Sequence, residues 1–274
     1  MFAGQGAQTP GMACELHSPR IKGLFEAAES VRPGIGALMQ SGPMEELSKT
    51  VNTQPCMFVA DLAYAYAEEE KNGAPTAACG FSVGEIPALT YAGALTVEEG
   101  LAIICKRAEL MQKACEKTGG AMIAAVGLSP AQAEEAAASS GAWAANYNAP
   151  KQTVIAVTSE NEGKLTQAIA AAGGRAIKLK VSGAFHCPLL CEAAEEFAAF
   201  LRGFTFRAPR IPVYANLTAQ PYEAGEQAIG TLSKQMCSPV RFTQTVANMR
   251  AAGVEEFVEV GPGRVLTNLV AKMG

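Results

Sequence analysis

Histidine is scarce: among 274 residues only His17 and His186 occur, so any chemistry that needs an imidazole has two candidates. Basic runs are missing too. The formal net charge is -4, which leaves no electrostatic footprint for nucleic acid or an anionic membrane surface. Partners are expected among small molecules and proteins. No C-x-x-C pair joins the eight cysteines at positions 14, 56, 79, 105, 115, 187, 191 and 237, several of which sit among apolar residues as small hydrophobes. That usage predicts reduced thiols. There is no basic n-region followed by an apolar h-region, and no uninterrupted apolar stretch of about 18 residues. The expectation is a cytoplasmic chain, neither secreted nor embedded. No internal repeat or low-complexity segment interrupts it.

What is present is apolar bulk. Hydrophobic residues make up 49% of the chain and charged residues 18%, enough for a full core in one large domain or a large domain with an insert. The stretch that organises it is Gly80-Phe81-Ser82-Val83-Gly84, with apolar Ala77-Ala78-Cys79 before it and Glu85-Ile86-Pro87-Ala88-Leu89 after it. In G-x-S-x-G the glycines allow a sharp strand-to-helix bend that exposes the serine hydroxyl, and the following helix aims free N–H groups at the reacting centre. The Val83 N–H is the natural donor to an oxyanion. Alone, the pentapeptide is common; strand, turn and helix around it are the confirming context.

That context is legible. Gly4-Gln5-Gly6-Ala7-Gln8 forms a loop whose main-chain N–H groups can approach a ligand closely. Residues 12–32 and 34–50 read as helices, and Thr53-Gln54-Pro55 opens a long helix through about Lys71. Residues 75–79 read as a buried strand feeding the elbow, with helices over 85–91 and 97–116 after it. The composition changes at Gly119-Gly120. From there strands and helices follow in the order β-α-β-β-α-β through about Val181, which is the ferredoxin-like pattern. The division predicted is a catalytic lobe of residues 1–117 and 183–274 and an inserted lobe of residues 118–182, with hinge glycines at Gly119-Gly120 and Gly183. Helix and strand signals then alternate to the end, including strands over 213–216 and 256–260.

His186 falls between apolar neighbours where the insert returns to the larger lobe, whereas His17 lies in a polar stretch; with Ser82 as nucleophile, His186 is the candidate base. Arg107 stands in an otherwise apolar helical stretch, where it either snorkels to the surface or pairs with a buried anion.

These pieces, together with Lys106-Arg107-Ala108-Glu109-Leu110-Met111, Asn146-Tyr147-Asn148-Ala149-Pro150, Gly183-Ala184-Phe185-His186, Ser238-Pro239-Val240-Arg241-Phe242 and Glu259-Val260-Gly261-Pro262-Gly263, resemble malonyl-CoA:acyl carrier protein transacylases over essentially the whole chain. The resemblance implies an α/β-hydrolase-like lobe carrying an inserted ferredoxin-like lobe, and ping-pong transfer of a malonyl group through a Ser82 ester to an acyl carrier protein. It implies that His186 serves as base and then acid, that the N–H groups of Gln5 and Val83 form the oxyanion hole, and that the Gln235 carbonyl orients the histidine. Arg107 would clamp the malonyl carboxylate, with Gln54, Asn148 and Phe185 near the substrate. No metal or cofactor is expected, malonyl-CoA being a substrate, and a monomer is expected. Two features depart from the family's pattern. Phe81 replaces its usual histidine, and the first strand is reduced to Met1-Phe2-Ala3. A serine esterase or thioesterase would use the same Ser82 and His186 without needing Arg107, and a silent binding homologue would result if Phe81 spoiled the elbow.

Overall fold

The structure is a computed structural model that describes residues 1–274. Its first third is a helical layer: α1 (Pro19–Val31), α2 (Ile35–Ser41), α3 (Met44–Leu47) and the long α4 (Thr50–Asn72). Helix α1 begins later than residue 12 because Ser18, in extended conformation, caps it through a 3.3 Å bond from the Ile21 N–H, with Pro19 at the first helical position. The reading of 34–50 as one helix fails at Gly42-Pro43, where the extended residue before a proline cannot continue a helix. Pro55 lies inside α4 rather than in its first turn. It offers no N–H to the Val51 carbonyl, and Arg32 Nη1 supplies the missing donor at 2.5 Å.

Strand β1 (Ala78–Cys79) leads through a short 3-10 turn at Ser82–Gly84 into α5 (Glu85–Tyr91), and α6 (Val97–Thr118) follows, opened by a Thr96/Glu99 capping box. Next come β2 (Ala121–Val126), α7 (Pro130–Ser139), β3 (Trp143–Ala149), β4 (Gln152–Val157), α8 (Glu162–Ala171) and β5 (Arg175–Lys178). The chain ends with α9 (Cys191–Leu201), β6 (Val213–Tyr214), α10 (Glu226–Gln235), α11 (Phe242–Ala251) and α12 (Val265–Val270).

Two sheets result. In the antiparallel one the order is β3-β4-β2-β5, the ferredoxin-like arrangement. Its two-residue periodicity feeds two cores: Ala121, Ile123, Ala125, Ile155 and Val157 face α7 and α8, while Met122, Ala124, Val154 and Ala156 join the main core. The other sheet is parallel and short. β1 pairs with β6, and Phe2 bridges both Gly80 and Val260. Met1-Phe2-Ala3 thus runs between the two neighbours as a central strand, tied by Phe2 N–H to the Cys79 carbonyl (2.8 Å) and Ala3 N–H to the Val260 carbonyl (3.1 Å). The segments expected as strands over 75–79, 213–216 and 256–260 contract to two residues, two residues and a single bridge. The ferredoxin-like antiparallel sheet and the short parallel sheet agree with the mixed α/β expectation.

Glycines 120 and 183 are not loose. A Cβ on Gly183 would lie 2.5 Å from Cys115 Sγ, and one on Gly120 would lie 2.6 Å from the Val157 carbonyl oxygen. Close approach is what Gly183 demands, and Gly120 adds to it a positive φ of 104° that favours glycine.

Candidate active site

The elbow forms because three backbone segments crowd one point. A Cβ on Gly84 would sit 2.6 Å from the Ala3 carbonyl oxygen, and one on Gly80 would fall inside the backbone of Gly84. Neither glycine has positive φ; the strained residue is Ser82 itself, at φ 53°, a conformation that costs about 1–3 kcal/mol and persists only where surroundings enforce it. Those surroundings are visible. The Ser82 N–H donates to Asn216 Oδ1 at 2.7 Å, Asn216 Nδ2 donates to the Gly80 carbonyl at 2.6 Å, and Gln235 Nε2 donates to the Ser82 carbonyl at 2.9 Å.

Ser82 Oγ lies 2.7 Å from His186 Nε2. On the other side of the ring, Nδ1 lies 2.9 Å from the Gln235 backbone carbonyl. A carbonyl only accepts, so Nδ1 carries the proton and Nε2 presents its lone pair to the serine hydroxyl. Burial, reinforced by the nearby Arg107 charge, pulls the His186 imidazole down to about 4, against the opposing pull of the Gln235 and Ser238 backbones. At neutral pH the ring is therefore a neutral base, and no carboxylate touches it.

Arg107, on α6, is fully buried. Nη1 donates to Gln54 Oε1 at 2.7 Å, and Nη2 donates to Gln235 Oε1 at 2.7 Å and to Ser82 Oγ at 3.2 Å, while Nε has no protein partner. Burial draws the guanidinium down to about 10, leaving it charged at neutral pH. Behind it Glu85, buried at the start of α5, accepts from the Asn216 N–H at 2.9 Å and from Gln235 Nε2. Burial pushes its carboxyl up to about 7.

The remaining residues named from the sequence gather less tightly. The loop at Gly4 passes against the elbow, since a Cβ there would lie 2.8 Å from the Phe81 ring. The backbone N–H groups of Gln5 and Val83 donate to no protein acceptor. The Gln5 side chain reaches Thr50 Oγ1 at 3.4 Å. Asn148 is buried on β3 with Oδ1 unpartnered, and Phe185 is buried beside His186 with its N–H on Met122 Sδ at 3.2 Å. Phe81 packs edge-on against Phe242 with centroids 5.4 Å apart. It takes no part in the hydrogen bonds of Ser82 Oγ. A cleft of about 320 Å³ opens at His186 between Trp143 and the Cys237-to-Pro239 turn. A larger groove of about 510 Å³, lined by Glu68, Pro75, Met249 and Phe257 among others, contains none of the site residues. No three His, Cys, Asp or Glu side chains converge in a metal-binding cluster.

Residues 1–273 match the acyl transferase domain family. The chain belongs to that family. Along its full length it is 37% identical to the malonyl CoA-acyl carrier protein transacylase of Escherichia coli K12, of which it covers 91%. It is 40% identical to the polyketide biosynthesis protein ThaF of Burkholderia thailandensis, again over the whole chain, but spans only 24% of that protein's length. Among solved structures, a malonyl-transacylase in complex with a type II polyketide synthase acyl-carrier protein superposes with TM-score 0.94 at 36% identity, covering 99% of this chain and 91% of that one. The acyltransferase fold of those relatives is thus the fold described above.

Within this acyltransferase the structure brings Ser82, His186, Arg107, Gln54 and Gln235 into one hydrogen-bonded set. Sequence reading did not single out Glu85 and Asn216, or the side chain of Gln235. Glu85 had a faint signal as a carboxylate directly after the elbow; Asn216, 134 residues from the serine it braces, had none.

Proposed function

We propose that this chain moves a malonyl group from coenzyme A to the phosphopantetheine thiol of an acyl carrier protein through an ester on Ser82. The observation that carries the reading is the position of Ser82 Oγ, 2.7 Å from the lone pair of a neutral imidazole and 3.2 Å from a buried guanidinium. A serine hydrolase has use for the first of these and none for the second.

In the proposed sequence His186 Nε2 accepts the Ser82 proton as Oγ attacks the thioester carbonyl, and the oxyanion meets the free N–H groups of Gln5 and Val83, each worth a few kcal/mol of stabilisation. Collapse expels coenzyme A, whose sulfur takes the proton back from His186. The carrier thiol then gives its proton to the same nitrogen and attacks the ester, restoring Ser82. Throughout, the malonyl carboxylate faces Arg107, whose partnerless Nε–H and two-donor fork suit it. Gln54 and Gln235 aim the guanidinium, and Asn148 and Phe185 line the approach. No step calls for a cofactor or metal.

The same reading assigns residues 118–182 to a lobe of their own, supported by their separate core under α7 and α8. It places the enzyme in the cytoplasm, beside a soluble acyl carrier; no helix is long and apolar enough to cross a membrane.

Intact-protein mass spectrometry tests it. Malonyl-CoA should leave a malonyl adduct that is absent in Ser82→Ala and is discharged by an acyl carrier protein. Discharge to water at the same rate would make the protein a hydrolase, and no adduct at all would end the proposal.

A further inference from the structure

The reaction just described uses Ser82, His186 and Arg107, yet the most deeply buried carboxylate near them, Glu85, touches none of the three. It is fully shielded from solvent. Its oxygens accept from the Asn216 N–H at 2.9 Å and from Gln235 Nε2. Gln235 is the pivot. Its Nε2 also reaches the Ser82 carbonyl at 2.9 Å, while its Oε1 accepts from Arg107 Nη2 at 2.7 Å.

A side-chain amide has a direction: one end donates and the other accepts. An ionised carboxylate can only accept, so Glu85 compels the Gln235 NH2 to face it and thereby compels Oε1 to face Arg107. A direct Glu–Arg contact would have paired the guanidinium and left it nothing to offer a ligand. Set one amide further back, the carboxylate balances a buried positive charge while leaving the face of Arg107 toward Ser82 unpaired.

We propose that Glu85 is a positioning residue that acts through the Gln235 amide, holding the Arg107 guanidinium across Ser82 Oγ and so setting the preference for acyl donors that carry a free carboxylate. The proposal rests on the malonyl-transfer reading above. Glu85 protonated, or replaced by an amide, can donate where it now accepts; Gln235 then turns over and points N–H groups at a guanidinium that also only donates. The groups facing the Glu85 carboxyl are Arg107 from α6, the Tyr222 hydroxyl from the loop after β6 and the Cys79 thiol from β1. Burial holds its carboxyl near 7, so the device should switch off as pH falls through neutrality, well above the value near 4 at which His186 protonates.

Single-turnover acylation of Ser82 by malonyl-CoA and by acetyl-CoA, followed from pH 5 to 8.5 in wild type and Glu85→Gln, decides the matter. In wild type the malonyl rate should fall as pH drops through about 7 while the acetyl rate holds. In Glu85→Gln the malonyl rate at pH 8 should be at least about tenfold lower, equivalent to one charge-assisted hydrogen bond, with its dependence near pH 7 gone and acetyl little changed. If both donors slow together, or if the variant keeps the wild-type donor ratio and pH profile, Glu85 is scaffold and the proposal fails. Should the variant not fold, the wild-type comparison decides alone: parallel profiles for the two donors overturn the idea. Absence of any malonyl ester on wild-type Ser82 would instead remove the function reading itself.

Discussion

Arg107 is fully buried, yet none of the side chains it touches is a carboxylate: Gln54, Gln235 and Ser82 are all neutral. Truncating one partner of a buried charge pair is worth a few kcal/mol, so Arg107→Ala should lower kcat/KM for malonyl-CoA by at least about a hundredfold, or 2.7 kcal/mol. Acetyl-CoA, with no carboxylate to strand, should lose little. Lysine should rescue only in part, because a point charge cannot replace the planar fork. Equal losses with both donors would make Arg107 a scaffold residue. The pH behaviour of stability belongs to this scale too. His186 is held below its ordinary 6.5, at about 4, so the unfolded chain binds its proton first and stability should rise with pH between those values. Glu85 is raised from 4.5 to about 7 and acts in the opposite sense, its contribution falling as pH rises through that window. The two oppose each other over most of the range. Urea midpoints should therefore vary little for wild type between pH 4.5 and 6.5 on account of this site, and rise more steeply with pH in Glu85→Gln; an unchanged slope would mean that Glu85 is not buried in solution. Ser82, His186 and Arg107 were legible in the sequence because each is anomalous where it stands. Asn216 was not, because at the end of the strand expected over 213–216 an asparagine carries no mark of its own until the fold delivers it to the elbow.

At the scale of the element, three strands of the antiparallel sheet were readable to within a residue because they carry a period of two that separates two cores, whereas the fourth, read over 176–181, spans Arg175–Lys178. The parallel sheet was readable only as a set of apolar runs. Its members are two residues or a single bridge long, and their hydrogen-bond partners lie far away in sequence, as Phe2 with Val260 shows, so no local period marks their ends. Helix α6 was readable as a helix over 97–116, and the structure adds the capping box that opens it, where Thr96 Oγ1 accepts from the Glu99 N–H at 3.1 Å. Removing that acceptor should destabilise the protein by about 1 kcal/mol. Arg107 sits about three turns inside the helix, beyond the fraying that a lost cap permits. Thr96→Ala should accordingly lower the denaturation midpoint and leave the Ser82 acylation rate unchanged. A slowed rate would mean that the guanidinium depends on the far end of its helix.

At the scale of the whole molecule, His186, the proposed base, comes from the segment by which the chain returns from the antiparallel sheet to the main core, and that return is tight. The β-α-β-β-α-β pattern of the insert predicts a hinge at Gly183. In the structure Gly183 has no positive φ to protect, and what a side chain there would meet is Cys115 of α6, with Sγ at 2.5 Å and Cβ at 2.6 Å. Cys115 is itself buried, so it has little room to withdraw. Overpacking of this kind costs about 1–3 kcal/mol, and here the displaced backbone lies three residues from His186, whose Nε2 must stay 2.7 Å from Ser82 Oγ. Gly183→Ala should therefore lower both the denaturation midpoint and the acylation rate for malonyl-CoA and acetyl-CoA alike, unlike any change at Arg107. Cys115→Ala removes the sulfur at 2.5 Å but keeps the Cβ at 2.6 Å, so the double variant should regain only part of both, giving a coupling energy of about 0.5 kcal/mol or more in the double-mutant cycle. A hinge would behave differently: stiffening it would slow turnover while leaving stability unchanged or improved, and removing the thiol would rescue nothing.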